Sequence, residues 1–212
     1  MKIAILARAD LRAEMETWPL PGELHRYWAK DFADLLMQQD AAVVFDMEFY
    51  FDLQRLEALR SFFPRPVFVN SVLHCCGEMG PGFVRINGWP GFLGGGCLEL
   101  ACSRDQDVAA AGKLMGTLGL DFRLVPDTSG MVSPRIVSMI INEAYYTLAG
   151  GISGREEIDL AMTLGTGIPR GPFNWARMIG LKNVVDLLTR LCVEDPRYSV
   201  CPALEAESGK AL

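Results

Sequence analysis

The chain alternates short, wholly apolar runs with longer segments whose apolar residues recur every three or four positions. Lys2–Ala7, Ala42–Met47 and Pro66–Val72 are runs of the first kind, and each predicts a strand buried on both faces. Asp52–Phe62 is of the second kind, with Leu53, Leu56, Leu59 and Phe63 in helical register. Glu23–Gln39 reads the same way: Leu24, Tyr27, Trp28, Phe32, Leu35 and Leu36 share one broad face and predict a long helix. Residues 8–21 predict a loop or a broken helix, closed by Pro19 and Pro21. Residues 73–81 predict a loop. Phe83–Ile86 and Cys97–Ala101 read as further strands, and the glycine-rich stretch from Asn87 to Gly96 between them accommodates no regular element. Asp105–Leu118 predicts a helix and Phe122–Val125 a last short strand. This order implies a parallel sheet with covered faces, an α/β domain over residues 1–126.

From Asp127 onward only helical spacing remains, so residues 127–212 predict an all-α domain. Pro134–Leu148 is apolar on most faces, the pattern of a buried helix. Gly150 and Gly151 stop it. Ser153-Gly154-Arg155-Glu156 spells a capping box before a helix over Glu156–Leu164, Pro172 sits at a first-turn position, and Val184–Leu191 makes the last helix. The tail from Glu194, with Pro196 and Pro202, predicts a loosely ordered end.

Composition narrows the partners. The 212 residues are 50% hydrophobic and 22% charged, the balance of a packed globular protein. The net charge is −6 and the Lys and Arg residues are scattered, which argues against a nucleic-acid partner and leaves small anionic ligands open. No segment approaches the ~20 uninterrupted apolar residues of a membrane span. Arg8 and Asp10 end the apolar start too early for a secretory signal, so the expectation is a cytoplasmic protein. The six cysteines include no CxxC, which removes the zinc-ribbon spacing and predicts free thiols packed as small hydrophobes. His74-Cys75-Cys76 would be a metal or nucleophile cluster only if ring and thiols met in space.

Several residues carry a more specific signal. Asp127, Thr128, Gly130, Arg135, Asn142, Glu143 and Ala144 are followed by Gly165, Gly167, Pro169, Gly171, Pro172, Phe173, Ile179, Gly180 and Leu181. In this order they resemble the C-terminal helical domain of the 3-hydroxyacyl-CoA dehydrogenases. Upstream the likeness is thinner. Phe68-Val69-Asn70-Ser71 resembles the family strand that carries substrate-contacting polar residues, and Phe83–Leu100 resembles the segment in which a His turn is followed by a strand containing Glu. The resemblance implies a shortened Rossmann-like parallel-sheet domain followed by the family's helical domain, a place in fatty acid metabolism, and a homodimer formed through the helical domain. It implies substrate-binding roles for Asn70, Ser71 and Arg135, and puts Glu99 on the family's catalytic glutamate and Asn87 on its catalytic histidine.

The departures matter as much. The first strand is followed by Arg8-Ala9-Asp10-Leu11-Arg12, without the glycine-rich turn that lets pyrophosphate approach a helix N-terminus. The stretch from there to Ala42 reads as too short for the strand–helix–strand that carries a ribose-binding acid. The family's His takes a proton from the 3-hydroxyl, and an amide at Asn87 has no basic nitrogen to do so. Leu73, Pro90 and Pro134 stand where the family has a Ser and two Asn residues. No cofactor is expected, with NAD the candidate if the family activity survives.

Three functions stay open: a dehydrogenase-like protein without the usual hydride transfer that binds an acyl-CoA or another small anion in the inter-domain cleft; an active enzyme with an atypical site using Glu99; and a non-catalytic partner of a true dehydrogenase. Of the remaining features, Gly94-Gly95-Gly96 reads as a hairpin connection or as a backbone nest for an anion. Trp89 reads as a core side chain beside a tight turn or as a face for a flat ligand. If Glu99 is buried it needs a partner, with Arg85, Arg135 and Asn87 as candidates.

Overall fold

The computed structural model describes residues 1–94 and 96–209. They form two compact units, Met1–Met131 and Val132 onward.

The first unit is a mixed seven-stranded sheet in the order β2-β1-β3-β4-β5-β6-β7. Its elements run β1 (Lys2–Leu6), α1 (Ala9–Glu16), β2 (His25–Trp28), α2 (Phe32–Leu36), β3 (Val43–Asp46), α3 (Leu53–Leu59), β4 (Val67–Asn70), α4 (Cys76–Met79), β5 (Phe83–Ile86), β6 (Leu98–Ala101), α5 (Asp105–Leu118) and β7 (Phe122–Leu124). All neighbouring strands are parallel except β5 and β6, which pair antiparallel with Arg85 opposite Ala101. The continuous apolar runs follow from burial on both faces. Ile3, Ile5, Phe45 and Phe68 pack under α1 and α5 with Leu11, Met15, Ala111 and Met115. Ala4, Leu6, Val44 and Val69 pack on the other side with Leu35, Leu56, Leu59 and Met79.

Two expectations for the first forty residues are corrected. Glu23–Gln39 is not one helix. His25–Trp28 is an edge strand registered on β1, with Lys2 opposite His25 and Ile5 opposite Trp28, and Asp31 starts a new helix by accepting from the Asp34 amide at 2.8 Å. The aromatic Tyr27 and Trp28 suit a half-covered edge as well as a helix face, and pairing to β1 decides between them. A strand–helix–strand therefore does fit before β3, compressed into an eight-residue α1 and a five-residue α2.

The second unit is helical, as expected: α6 (Ser133–Ala149), α7 (Arg155–Thr166), α8 (Pro172–Ile179), α9 (Leu181–Cys192) and α10 (Pro202–Ser208). The cap of α7 uses Glu157, not Glu156: its Oε2 accepts from the Gly154 amide at 2.7 Å. The Asp159 carboxylate caps α8 through the amides of Phe173 and Asn174, at 2.8 and 3.1 Å. Between Glu194 and Gly209 the chain is ordered, against expectation; residues 210–212 of the predicted loose end lie outside the described residues. Asn142 on α6 donates to the Ser199 carbonyl at 2.9 Å and accepts from the Cys201 amide at 2.8 Å, fixing the entry into α10. Among the described residues no helix is long and apolar enough to cross a membrane.

Candidate functional site

In a doubly wound sheet, ligands sit outside the carboxyl ends of the strands. Those ends carry the candidate residues of the first unit. Extending the β5–β6 register by one residue sets Asn87 opposite Glu99, and the Asn87 amide donates to the Glu99 carbonyl at 3.1 Å. Directly opposed residues of an antiparallel pair project to the same face. The fold thus juxtaposes the two positions that the resemblance singled out. Asn87 is buried, and its Oδ1 accepts from the Trp89 amide at 3.3 Å. Trp89 is itself buried, which makes it a core side chain.

Asn70, at the end of β4, ties three strand ends together. Its Nδ2 donates to the Met47 and Gly88 carbonyls at 3.2 and 3.1 Å, and its Oδ1 accepts from the Gly88 amide at 3.1 Å. A Cβ at Gly88 would come within 2.6 Å of the Asn70 Cγ, so glycine is required for that approach. Ser71 is buried, and its hydroxyl donates to the His74 carbonyl at 2.8 Å. Arg135 belongs to the helical unit, where its Nη1 donates to the Tyr198 hydroxyl at 3.0 Å; Arg197 donates to the same oxygen at 2.7 Å. Burial pushes the Tyr198 phenol up, but these two guanidinium groups outweigh it and hold the phenol below its usual range.

Arg85 does not pair with Glu99. The guanidinium, wholly buried, donates to Asp127 Oδ1 at 2.8 Å and to the carbonyls of Ser71, Val72 and Thr128 at 2.8, 3.0 and 3.1 Å. Asp127 also accepts from the amides of Cys76 and Gly77 at 3.0 and 3.2 Å. Burial pushes its carboxyl up, but the Cys76 amide and Arg85 outweigh that and hold it below the usual carboxylate range. This hub fixes the β4–α4 turn beside Asn70 and Ser71. The charged pair is spread over Arg85 and Asp127, 42 residues apart, so only the isolated charge in a strand pattern hinted at it.

The His74 ring stacks on Phe51 at 4.4 Å, and burial pushes the Cys76 thiol far up. Among the described residues, no group of three or more His, Cys, Asp or Glu is placed to hold a metal.

Of the three consecutive glycines, Gly94 joins a group of backbone amides that begins upstream of them. The Glu14 carboxylate of α1 accepts from the amides of Gly91, Leu93 and Gly94 at 2.6, 3.0 and 3.1 Å. Gly95 lies outside the described residues.

The residues present do not fit NAD in its usual mode. The turn from β1 into α1 is Ala7-Arg8, with Arg8 at the N-cap and no side-chain cap. Side chains at Ala7, Arg8 and Ala9 stand where close pyrophosphate approach needs glycine. The ribose half has a counterpart. Asp31, exposed three residues beyond β2, lies at about the usual distance of ~20 residues from that turn. Its Oδ1 is engaged in capping α2.

Comparisons with known proteins bear on the helical unit and on the fold. Residues 130–207 match the model of the 3-hydroxyacyl-CoA dehydrogenase C-terminal domain. The chain is 38% identical over 82 residues to 3-hydroxyadipyl-CoA dehydrogenase of Escherichia coli, covering 38% of this chain and 17% of that protein. It is 34% identical over 102 residues to 3-hydroxybutyryl-CoA dehydrogenase of Bradyrhizobium diazoefficiens, covering 47% of this chain and 35% of that protein. The match therefore spans about a third or less of either relative's own length. In fold, the chain is similar to the crystal structure of (S)-3-hydroxybutyryl-CoA dehydrogenase from Ralstonia eutropha, with a TM-score of 0.75, 18% identity, and coverage of 99% of this chain and 93% of that one. Residues 130–207 are thus matched as a 3-hydroxyacyl-CoA dehydrogenase C-terminal domain, and the chain as a whole shares the fold of a Rossmann-like sheet followed by a helical domain.

Proposed function

We propose that this chain is a 3-hydroxyacyl-CoA dehydrogenase-like protein that does not perform the usual NAD-dependent hydride transfer and binds an acyl-CoA or another small anionic ligand. The observation that carries the reading is Asn87 opposite Glu99. The position that would carry a proton-accepting imidazole holds a buried neutral amide whose oxygen is already engaged with Trp89. Loss of a positioned general base costs about two to four orders of magnitude in rate. The glycine-free turn at Arg8 works in the same direction by denying pyrophosphate its approach. The names of the relatives, dehydrogenases of 3-hydroxyadipyl-CoA and 3-hydroxybutyryl-CoA, support a CoA thioester as the ligand class.

Thermal shift tests this directly. CoA or acetoacetyl-CoA raises the melting temperature, while NAD and NADP do not. NADH oxidation driven by acetoacetyl-CoA, and abolished by Asn87→Ala or Glu99→Gln, would overturn the reading.

We also infer self-association through the helical unit. Ile136, Ile152, Leu160 and Leu164 are 55, 76, 59 and 77% exposed there, and an apolar crevice of about 370 Å³ opens between Ile140, Ala144, Ile158 and Met162. Apolar surface of this kind favours a second copy. A monomeric mass by light scattering at micromolar concentration removes it.

A further inference from the structure

We propose that the amides of Gly91, Leu93 and Gly94 form an anion-binding nest that the chain fills with its own Glu14, and that this internal ligand positions the turn carrying Asn87. The Gly91 amide meets one carboxylate oxygen, and those of Leu93 and Gly94 meet the other. Convergent backbone amides on one anion are how loops bind phosphates and carboxylates, and charge-assisted bonds of this kind are the strong ones. Gly91 has a φ of +92°, a left-handed conformation that glycine adopts without the strain of a side chain. The segment just after the helix grips the same loop a second time: Trp18 Nε1 donates to the Leu93 carbonyl at 2.9 Å. Leu93 is thus held at its amide by Glu14 of α1 and at its carbonyl by Trp18 just beyond that helix. Upstream the loop is continuous with Asn87 through the Asn87–Trp89 bond and the Phe92 amide to Trp89 carbonyl bond at 3.2 Å. Being tethered, Glu14 acts at a high effective concentration, so the nest in the native chain is closed to solutes.

The effect on Asn87 rests on the functional reading above; the nest does not. Glu14→Ala removes the carboxylate and leaves its three amides facing a space that acetate matches in chemistry. Amide hydrogen exchange is followed at Gly91, Leu93 and Gly94 in wild type, Glu14→Ala and Glu14→Gln, with sodium acetate against sodium chloride at equal ionic strength. Exchange at the three amides rises at least about tenfold in Glu14→Ala. Acetate, not chloride, restores protection along a saturating curve, and leaves wild type unchanged. Equal exchange in wild type and Glu14→Ala, or acetate no better than chloride, overturns the proposal. If Glu14→Ala does not fold, Glu14→Gln carries the exchange comparison: its amide keeps one accepting oxygen, so exchange rises at some of the three amides and an unchanged pattern overturns the proposal. Acetate rescue together with silence toward CoA thioesters leaves the nest standing and removes the ligand reading alone.

Discussion

Replacing Arg85 with Met tests whether the Arg85–Asp127 hub supports the strand ends as argued. The substitution keeps most of the side-chain length and removes a guanidinium that is fully buried. It leaves the Ser71, Val72 and Thr128 carbonyls without the donor that held them at 2.8–3.1 Å, and leaves Asp127 without its cation. Truncating one partner of a buried ion pair costs about 3–5 kcal/mol, because the other charge stays behind uncompensated. Asp127→Asn keeps the shape and weakens bonds that depend on charge, at about 1.5–3 kcal/mol. The double variant should lose less than the sum, by about 0.5–3 kcal/mol, because both changes remove one interaction. Urea unfolding followed by tryptophan fluorescence gives the three values. The pH dependence has a definite sign. Asp127 is held below its usual range, so its contribution is present above the unfolded value of about 3.9 and is lost as pH falls through the lower folded value. The gap between wild type and Asp127→Asn should therefore close in acid. A loss below about 1 kcal/mol for Arg85→Met, the range of exposed pairs, would refute the reasoning.

Other outcomes follow from the same geometry. Arg55→Lys should cost about 1–3 kcal/mol in urea unfolding, because the Arg55 fork meets Asp46 with two bonds of 2.8 and 2.7 Å and stacks on Phe32 and Tyr50. Asn142→Ala should cost about 1–3 kcal/mol and speed amide exchange in α10, since both ends of the amide hold the Ser199–Cys201 backbone. Gly171→Ala would bring a Cβ to 2.4 Å from Asp159, displacing the α8 cap, and should lower stability by about 0.5–2 kcal/mol in thermal melts.

The sheet and the helical unit were largely legible in the sequence. Buried strands announce themselves as unbroken apolar runs, and glycine and proline mark the helix ends, as Gly167 does with a φ of +71° beyond α7. What failed was His25–Trp28, whose apolar spacing fits a helix until the edge of β1 claims it. The order after Glu194 was hidden for a related reason: Asn142 lies 57 residues before the Ser199 carbonyl that it holds. At the site, the resemblance singled out Asn87 and Glu99, but their opposition comes from the antiparallel β5–β6 pairing, which the expectation of a parallel sheet did not contain. The roles of Glu14 and Arg85 were not readable. Each depends on partners brought by chain crossings, Gly91 lying 77 residues from Glu14 and Asp127 lying 42 from Arg85.

The reversed direction of β6 has a further consequence. Because β6 doubles back on β5, the two facing positions at its mouth meet through a single connection of the chain, with no crossover helix between them. The facing of residues 87 and 99 is set by backbone register, so a change of side chain at either position leaves them opposed.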